Sequence, residues 1–505
     1  MSLKAQAVKN VSATWLGLLV HAVVGFFLSP FILHKLGDDA FSLWVLVFAL
    51  TGYYGLLDLG IRSSIVKYTA TFAELHDEEQ LSRFLSTSLG FYAVVALVVL
   101  FATITGFSYF HLMFRIPAGQ LSSARKLFLL AGTGVALTFP FTVFAGVLEG
   151  LQKFSWLQTS QIGLTLLRAA LMVMALLNGG GLLAVGTVTV AMNLLSYLIF
   201  TWMALKVVPV RLSLQHIEWT VFREIASYGV FALAILVAEK LRFQSDVVVI
   251  GAFLSSSSIT TFSIGARLVE YAGYSVKSMS QIFTPMSSQF HAAGDLDRLR
   301  RTFMAGNRAC GFIIFPLCTT LVILGKPIIE SWVGIGYVAS YSILVMLIIP
   351  RTMYLAQSTS IRILLGMGRH RVLASVLLLE GSLNLALSLL LVRRFGIVGV
   401  ALGTAIPLAC TSLVFLPRHL CHILNVPLKG FLTRIYRLPL IPCIPMTGVL
   451  WAVNHAFPAH RYNELLLQIA CGGVVYCAGL LGIIFLRGVG RPRSWRTLAQ
   501  ALEPK

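Results

Sequence analysis

Apolar runs recur along the whole chain, and they constrain its fold more than any other feature. A helix of about 20 apolar residues spans the hydrocarbon core of a bilayer, and on that criterion the sequence predicts about 14 spanning helices. Of the 505 residues, 57% are hydrophobic and 11% are charged, whereas soluble domains carry roughly 25% charged residues. The sequence therefore predicts an all-α, polytopic membrane protein.

The chain has 39 Lys and Arg residues against 19 Asp and Glu residues. In a membrane protein this excess fits the positive-inside rule better than nucleic-acid binding, because most of the basic residues lie in predicted loops. With the N-terminus inside, roughly 22 basic loop residues fall on the cytoplasmic side and roughly 8 on the outer side. We therefore expect both termini in the cytoplasm and no nucleic-acid partner.

An internal repeat is visible in three pairs of segments that stand roughly 215 to 221 residues apart. The pairs are Leu36–Leu43 with Ser257–Ile264, Gly150–Lys153 with Gly366–Arg369, and Gly181–Leu183 with Gly396–Val398. Six predicted helices make one repeat, and an even number gives both copies the same orientation in the membrane. The pattern predicts two pseudo-symmetric six-helix lobes followed by two C-terminal helices.

The predicted boundaries follow from this repeat. Residues 1–208 form the N-terminal lobe with helices 1–6, and residues 228–437 form the C-terminal lobe with helices 7–12. Between them, residues 209–227 alternate apolar and polar side chains, which predicts an amphipathic linker at the cytoplasmic surface. Residues 438–505 supply helices 13 and 14 and a basic cytoplasmic tail.

The predicted helical hairpin Ala238–Gln289 carries an unusual density of ionisable residues. They are Glu239, Lys240, Arg242, Asp246, Arg267, Glu270 and Lys277. An ionisable side chain at the bilayer centre costs about 2.5–3.5 kcal/mol on insertion scales. These groups must therefore pair with one another or face a water-filled cavity, an arrangement typical of a transport pathway.

Several of these charges are spaced for pairing. In predicted helix 2, Tyr54, Asp58 and Arg62 are four residues apart and share a face. Asp58 and Arg62 are either a self-neutralised pair between helices or a pair that lines the pathway. In the hairpin, Arg242 is spaced to pair with Glu239 or Asp246.

Two arginines of predicted helix 10, Arg351 and Arg362, have no acidic residue near them in sequence. They are eleven residues apart, about three helical turns, and so share a face. Arginine binds planar oxyanions such as phosphate through two parallel hydrogen bonds.

In the hairpin, Arg267 is spaced to pair with Glu270. Tyr271 and Tyr274 border this charged stripe and could contact sugar.

The embedded charges sum to an excess of cations, which favours an anionic ligand. The candidate substrate-binding residues of a cationic cavity are Arg62, Lys240, Arg242, Arg267, Lys277, Arg351 and Arg362. The candidates for pairing or for ion coupling are Asp58, Glu239, Asp246 and Glu270.

Enzyme chemistry finds little support in the sequence. There is no phosphate-binding loop, nucleophile elbow or paired-cysteine metal motif. The seven cysteines have neither metal-ligand spacing nor a disulfide framework. We therefore expect no catalytic residues, no bound metal and no cofactor.

Three stretches resemble a known family. They are KNVSATWLGLLVHAVVGFFLSPFILHKLGDDAFSLWVL, LLDLGIRSSIVKYTA and SDVVVIGAFLSSSSITTFSIGARL. They are similar to the polysaccharide-transporter (Wzx-type flippase) branch of the multidrug/oligosaccharidyl-lipid/polysaccharide (MOP) exporter superfamily, over roughly residues 9 to 415. The two additional C-terminal helices are similar to those of lipid II flippases.

The resemblance implies a V-shaped pair of lobes around a central cationic cavity, through which lipid-linked oligosaccharides move from the inner to the outer leaflet. Four candidate cavity residues lie within the matching stretches: Asp58, Arg62, Asp246 and Arg267. The arginines of predicted helix 10 rest on the residue pattern alone.

Together these features predict a flippase of the bacterial inner membrane. It would translocate an anionic undecaprenyl-pyrophosphate-linked oligosaccharide by alternating access, for surface polysaccharide biosynthesis. We expect a monomer in the lipid bilayer, with H⁺ or Na⁺ as candidate coupling ion. One alternative is a cation-coupled multidrug exporter of the same fold (MATE-like), which predicts a net acidic pocket. A second is a membrane-embedded glycan polymerase or ligase, which would need a sizeable outer loop.

Overall fold

The computed structural model describes residues 3–114, 116–209, 212–217, 233–459 and 461–486. Within these ranges the regular secondary structure is helical and includes no strand, which confirms the predicted all-α class. Most of the predicted linker 209–227 and the basic tail from residue 487 onward lie outside the described residues.

The described residues form a series of α-helices. The first ten are α1 (Leu3–Leu36), α2 (Asp38–Gly52), α3 (Ile61–Leu75), α4 (Glu78–Met113), α5 (Ala118–Thr138), α6 (Thr142–Gly150), α7 (Phe154–Leu177), α8 (Leu182–Val207), α9 (233–243) and α10 (Ser245–Phe253). The others are α11 (Ser256–Ser280), α12 (Phe283–Ala292), α13 (Leu296–Val333), α14 (Ser340–Ala356), α15 (Ser358–Gly366), α16 (His370–Cys410), α17 (Leu416–Ile423), α18 (Leu428–Leu432), α19 (Leu438–Leu440), α20 (Cys443–Ala456) and α21 (Tyr462–Leu486).

Nine helical segments of the described residues are long and apolar enough to cross a membrane, or ten if α5 and α6, bent by 46°, form one span. These segments confirm the polytopic membrane class. The total of about 14 spans stays a prediction. Helix α11, for example, is 25 residues long but carries Arg267, Glu270 and Lys277.

The chain divides into two compact units. Unit 1 takes its described residues from Met1–Ser263 and Leu377–Val400, and unit 2 from Ile264–Val376 and Ala401–Lys505. Helices α11 and α16 therefore each contribute to both units. The lobe boundaries expected at residues 209–227 and 438 stay predictions.

In unit 1, glycines bring α6 against α3. A Cβ atom on Gly150 would lie 2.7 Å from the carbonyl oxygen of Val66, and one on Gly146 would lie 2.9 Å from Cγ2 of Ile65. Ile65 is fully buried at this contact. Small residues at such a spacing let two membrane helices approach closely.

The matched segments of the repeat end two short helices in the same way. After α6, Gln152 has φ 56°, and after α15, Gly368 has φ 70°. The N–H of Lys153 donates to the carbonyl of Leu148, and the N–H of Arg369 to that of Leu364, both at 2.9 Å. This is the left-handed C-terminal cap of a Schellman motif, and its recurrence supports the predicted repeat.

The two longest helices before α16 also begin alike. The N–H of Gln80 donates to the Asp77 carboxylate ahead of α4, and the N–H of Arg298 donates to Asp295 ahead of α13, both at 2.9 Å. An Asp at this position satisfies a backbone donor that the helix itself leaves unpaired. The two halves of the chain thus share cap chemistry at a second pair of positions.

The first pair of repeat segments meets inside unit 1. The Ser256 hydroxyl donates to the Asp39 carboxylate at 2.7 Å, and the Thr260 hydroxyl donates to the carbonyl of Asp38 at 3.2 Å. Helix α10 ends at Phe253 and α11 starts at Ser256, so the predicted helical hairpin turns at Leu254 and Ser255.

Candidate functional site

Unit 1 contains a cavity of about 510 Å³. Its walls come from α2, α3, α5, α6, α8 and α9, and from the 3-10 turn Tyr53–Asp58. Among the described residues that line it, Asp58 and Arg62 are the charged ones, and the polar ones are Thr51, Thr138, Thr142, Asn193 and Tyr197. A mostly apolar pocket with a few convergent polar groups is the usual form of a ligand site.

The backbone breaks between the two charged residues of this cavity. Leu59 and Gly60 have φ angles of 51° and 76°, and α3 starts only at Ile61. The expectation of one continuous helix that places Asp58 and Arg62 on a common face is therefore wrong. The left-handed backbone at these two positions turns the chain, since a right-handed helix requires negative φ.

The Asp58 side chain links this break to a neighbouring helix. Its carboxylate accepts a hydrogen bond from the hydroxyl of Tyr92 on α4. Tyr92 is fully buried. Asp58 therefore ties the turn before α3 to α4.

Arg62 pairs with a carboxylate on a neighbouring helix. Its Nη2 lies 2.7 Å from Oε1 of Glu149, and its Nε lies 3.4 Å from Oε2. The two side chains remain 40% and 27% exposed, so the pair borders the open space. Glu149 was not among the predicted site residues, although Gly146 and Gly150 on either side of it are a sequence signal for a close helix contact.

Arg242 lies in the interior of unit 1. Its Nε is 2.5 Å from Oε1 of Glu380, and the side chains are only 2% and 3% exposed. The carbonyl of Arg242 accepts a hydrogen bond of 3.1 Å from Asn384. A Cβ on Gly381 would lie 2.9 Å from Cβ of Leu241, so this glycine lets α16 reach α9. Nothing in the sequence indicated Glu380 as a partner, because it lies 138 residues from Arg242. The substrate role of Arg242 stays a prediction.

The other predicted residues of α9 and α10 differ in exposure. Glu239 is exposed and Asp246 is buried. Lys240 is half-buried, and its Nζ donates to Oε1 of Gln244 at 2.9 Å. A Cβ on Gly52, which lines the cavity, would lie 3.5 Å from this Nζ. Lys240 is therefore close to the cavity that holds Arg62.

Five residues of α11 that the sequence singles out lie in unit 2. Glu270 and Lys277 are exposed, and Arg267 is half-buried. The hydroxyl of Tyr274 donates to Oε1 of Glu270 at 2.8 Å. The Tyr271 ring lies 6.3 Å from that of Tyr274. Aromatic and charged side chains thus share one surface of this helix.

The two arginines of predicted helix 10 lie on different helices of unit 2. Helix α14 ends at Ala356 and α15 starts at Ser358, with Gln357 between them. The expected common face of Arg351 and Arg362 is therefore wrong, because the turn count assumed an unbroken helix. Arg351 is 8% exposed, with its guanidinium 5.2 Å from the centre of the Tyr354 ring. Arg362 is half-buried.

Comparisons with known proteins agree with this architecture. Residues 36–342 match the family described as polysaccharide biosynthesis protein. The chain is 20% identical over 438 residues to the uncharacterized membrane protein EpsK of Bacillus subtilis, covering 84% of this chain and 85% of that protein. It is 18% identical over 389 residues to a protein of Shigella flexneri named "Putative O-antigen transporter", covering 76% and 90%.

Among solved structures, the lipid II flippase MurJ in its inward closed conformation is similar with a TM-score of 0.75 at 16% identity, covering 96% of this chain and 100% of that one. An inward-facing MATE multidrug transporter of the MOP superfamily follows with a TM-score of 0.64 at 14% identity, covering 83% and 99%. These likenesses show a shared fold. Because the family match spans more than half of the sequence, this chain belongs to the polysaccharide biosynthesis protein family.

Proposed function

We propose that this protein is a flippase that moves an anionic, undecaprenyl-pyrophosphate-linked oligosaccharide from the inner to the outer leaflet for surface polysaccharide biosynthesis. Its family and its relative named as an O-antigen transporter support this function, and its fold is that of a lipid II flippase. The observation that carries the proposal is Arg62 at the wall of a 510 Å³ cavity. A glycan polymerase or ligase finds no support in these relationships.

Arg62 can bind an oxyanion without losing its present partner. Glu149 engages Nε and Nη2, and a guanidinium has five N–H donors. A phosphate oxygen in the cavity can therefore meet the remaining edge, and such charge-assisted bonds are stronger than neutral ones. We propose that Arg267, Arg351 and Arg362 provide further phosphate contacts along the route, and that Lys240, Arg242 and Lys277 add positive potential.

The direction of transport has a plausible driving force. We propose an inner-membrane location with both termini in the cytoplasm, where an inside-negative potential favours outward movement of an anion by about 2.3 kcal/mol per charge per 100 mV. The site would open alternately to the two leaflets. Coupling to H⁺ or Na⁺ through Asp58, Glu239, Asp246 or Glu270, and a monomeric state, belong to the same proposal.

The test is export in cells that depend on the surface glycan. We expect Arg62→Ala, and the double variant Arg351→Ala with Arg362→Ala, to deplete the surface polysaccharide and to accumulate the lipid-linked precursor inside. Arg83→Ala is the matched control, because Arg83 forms an exposed pair with Glu79, and such pairs contribute little. Undiminished export by both test variants at normal protein levels would contradict the proposed phosphate contacts.

A cation-coupled drug exporter is the second candidate, because the chain shares its fold with a MATE transporter. That function needs a pocket that favours cations, and Asp58 is the acidic residue of the described cavity lining. Drug-efflux measurements in a susceptible host separate the two candidates. Resistance to cationic drugs without any effect on surface glycan would favour the exporter.

A further inference from the structure

One face of α11 combines aromatic and charged side chains within unit 2. The face contains Arg267, Glu270, Tyr271, Tyr274 and Lys277, and each of the five has another of them three or four residues away. Residues at these intervals lie side by side on a helix surface. We call these five residues the α11 face.

The position of Glu270 along α11 favours a water-exposed setting for this face. Glu270 is exposed, and it lies near the middle of the 25-residue helix Ser256–Ser280. A short carboxylate at that depth cannot reach the headgroup region as a long side chain at a helix end can. In a membrane-crossing α11, an exposed carboxylate at this position favours a water-filled space over lipid tails, because an ionised carboxylate in hydrocarbon is strongly unfavourable.

The aromatic part of the face is held in place from two directions. Tyr271 packs edge to face against Trp332, with ring centres 6.2 Å apart, and Trp332 itself is only 2% exposed. Tyr274 stands 6.3 Å from Tyr271 and donates its hydroxyl to Glu270 at 2.8 Å. The phenol thus orients the carboxylate, and the two rings form a supported platform beside it.

Such a combination suits a sugar ring better than a phosphate. A pyranose has C–H groups on its faces and hydroxyl groups around its rim. An aromatic ring offers an apolar face with a polar tip, and an ionised carboxylate accepts hydrogen bonds only. Glu270 would repel a pyrophosphate, whereas it can accept hydrogen bonds from neighbouring hydroxyls of a sugar.

We propose that the α11 face is the glycan subsite of the transporter, where a sugar ring stacks on Tyr274 and donates hydroxyl hydrogen bonds to Glu270. This assignment rests on the proposed function and deepens it, because it gives recognition of the sugar to Tyr274 and Glu270, beside the proposed phosphate contact of Arg267. Arg267 and Lys277, on either side of Glu270 along the helix, keep the face from acquiring a net negative charge.

The test compares two lipids on the purified full-length protein in nanodiscs. One is the lipid-linked oligosaccharide fraction extracted from the native host, and the other is undecaprenyl pyrophosphate without sugar. We expect Glu270→Gln to weaken binding of the glycan-bearing lipid about tenfold, the loss of one hydrogen bond to a charged group. Tyr274→Ala should weaken it about as much, because it removes the ring on which the sugar stacks. Binding of the sugar-free lipid should not weaken in either variant. Tyr109→Ala is the control, since Tyr109 is 57% exposed on α4.

Tyr274→Phe provides a second measurement if a larger change harms folding, because it keeps the ring and removes only the hydroxyl that orients Glu270. We expect a smaller loss, again confined to the glycan-bearing lipid. An equal loss for both lipids, or no loss for either, would overturn the subsite. A wild-type protein that binds neither lipid would contradict the proposed function itself and the subsite with it.

Discussion

The guanidinium of Arg62 on α3 lies 2.7 Å from the carboxylate of Glu149 on α6, and two glycines make this approach possible. Gly146 and Gly150 flank the glutamate, and a Cβ at either would come within 3 Å of α3. The same device recurs in unit 1 where Gly381 follows Glu380 at its contact with Arg242. In both places a glycine lets a second helix bring a carboxylate to an arginine.

Replacing Gly150 should separate α3 from α6. We expect Gly150→Ala to lower the free energy of unfolding by about 1–3 kcal/mol, because the added methyl group meets backbone rather than a movable side chain. Thermal unfolding of the detergent-purified protein, followed by size-exclusion chromatography, measures this loss. The matched control is Gly163→Ala on α7, where a Cβ would meet nothing within 4 Å. An equal stability for both variants would contradict the close contact.

Removing one partner of the Arg242–Glu380 pair should be costly. We expect Arg242→Met alone to destabilise the protein by about 3–5 kcal/mol, since it leaves a buried carboxylate without its cation. The double variant Arg242→Met with Glu380→Leu should recover most of that loss, because apolar groups of similar volume replace both charges. Thermal unfolding of the single and double variants provides the comparison.

The double variant also tests the predicted substrate role of Arg242. If this arginine serves packing alone, the restored protein should export glycan at the wild-type level. A double variant that is as stable as the wild type but exports nothing would show that the buried cation acts on the substrate.

The sequence was sufficient to predict the all-α membrane class. Hydropathy predicted helices because the bilayer requires every backbone polar group to be satisfied within its own segment. The segments Gly150–Lys153 and Gly366–Arg369 could be matched because both form the same helix cap, which depends on local backbone geometry. The sequence could place Asp58 and Arg62 at a cavity, because a charged side chain in an apolar helix is costly where it contacts lipid.

The partner of Arg242 on α16 could not be predicted. Arg242 pairs with Glu380, which is 138 residues away in the sequence. Helical spacing predicts contacts only between residues of one helix. The prediction that Arg351 and Arg362 share a face is wrong because Gln357 separates α14 from α15. Such breaks depend on partners elsewhere in the fold that satisfy the freed backbone groups, and no local composition marks them.

Gln357 should stabilise the chain at the break between α14 and α15. It is fully buried, and its Nε2 donates to the hydroxyl of Tyr436 and to the carbonyl of Ser412. We expect Gln357→Leu to lower the free energy of unfolding by about 1–3 kcal/mol, because it leaves buried acceptors without their donor. Gln161→Leu on the exposed face of α7 is the control. Equal melting temperatures for the two variants would count against this role.

Exchanging the charges of the cavity pair should separate folding from transport. In the double variant Arg62→Glu with Glu149→Arg, an ion pair can still form between α3 and α6, so we expect a folded protein at near-normal levels. Export should nevertheless fall at least about tenfold, since a carboxylate now faces the phosphates. Western blotting of membranes and quantification of surface glycan measure the two effects. Normal export by this variant would contradict the assignment of Arg62.

Transport of a lipid-linked oligosaccharide by the purified protein tests the central claim most directly. The protein is reconstituted into liposomes loaded with the lipid-linked oligosaccharide fraction of the native host, and a membrane-impermeant glycosidase outside reports the glycans that reach the outer leaflet. We predict faster exposure than in protein-free liposomes and near-background exposure with the Arg62→Glu and Glu149→Arg double variant. A wild-type rate no higher than that of protein-free liposomes, from protein shown to be folded, would contradict the account.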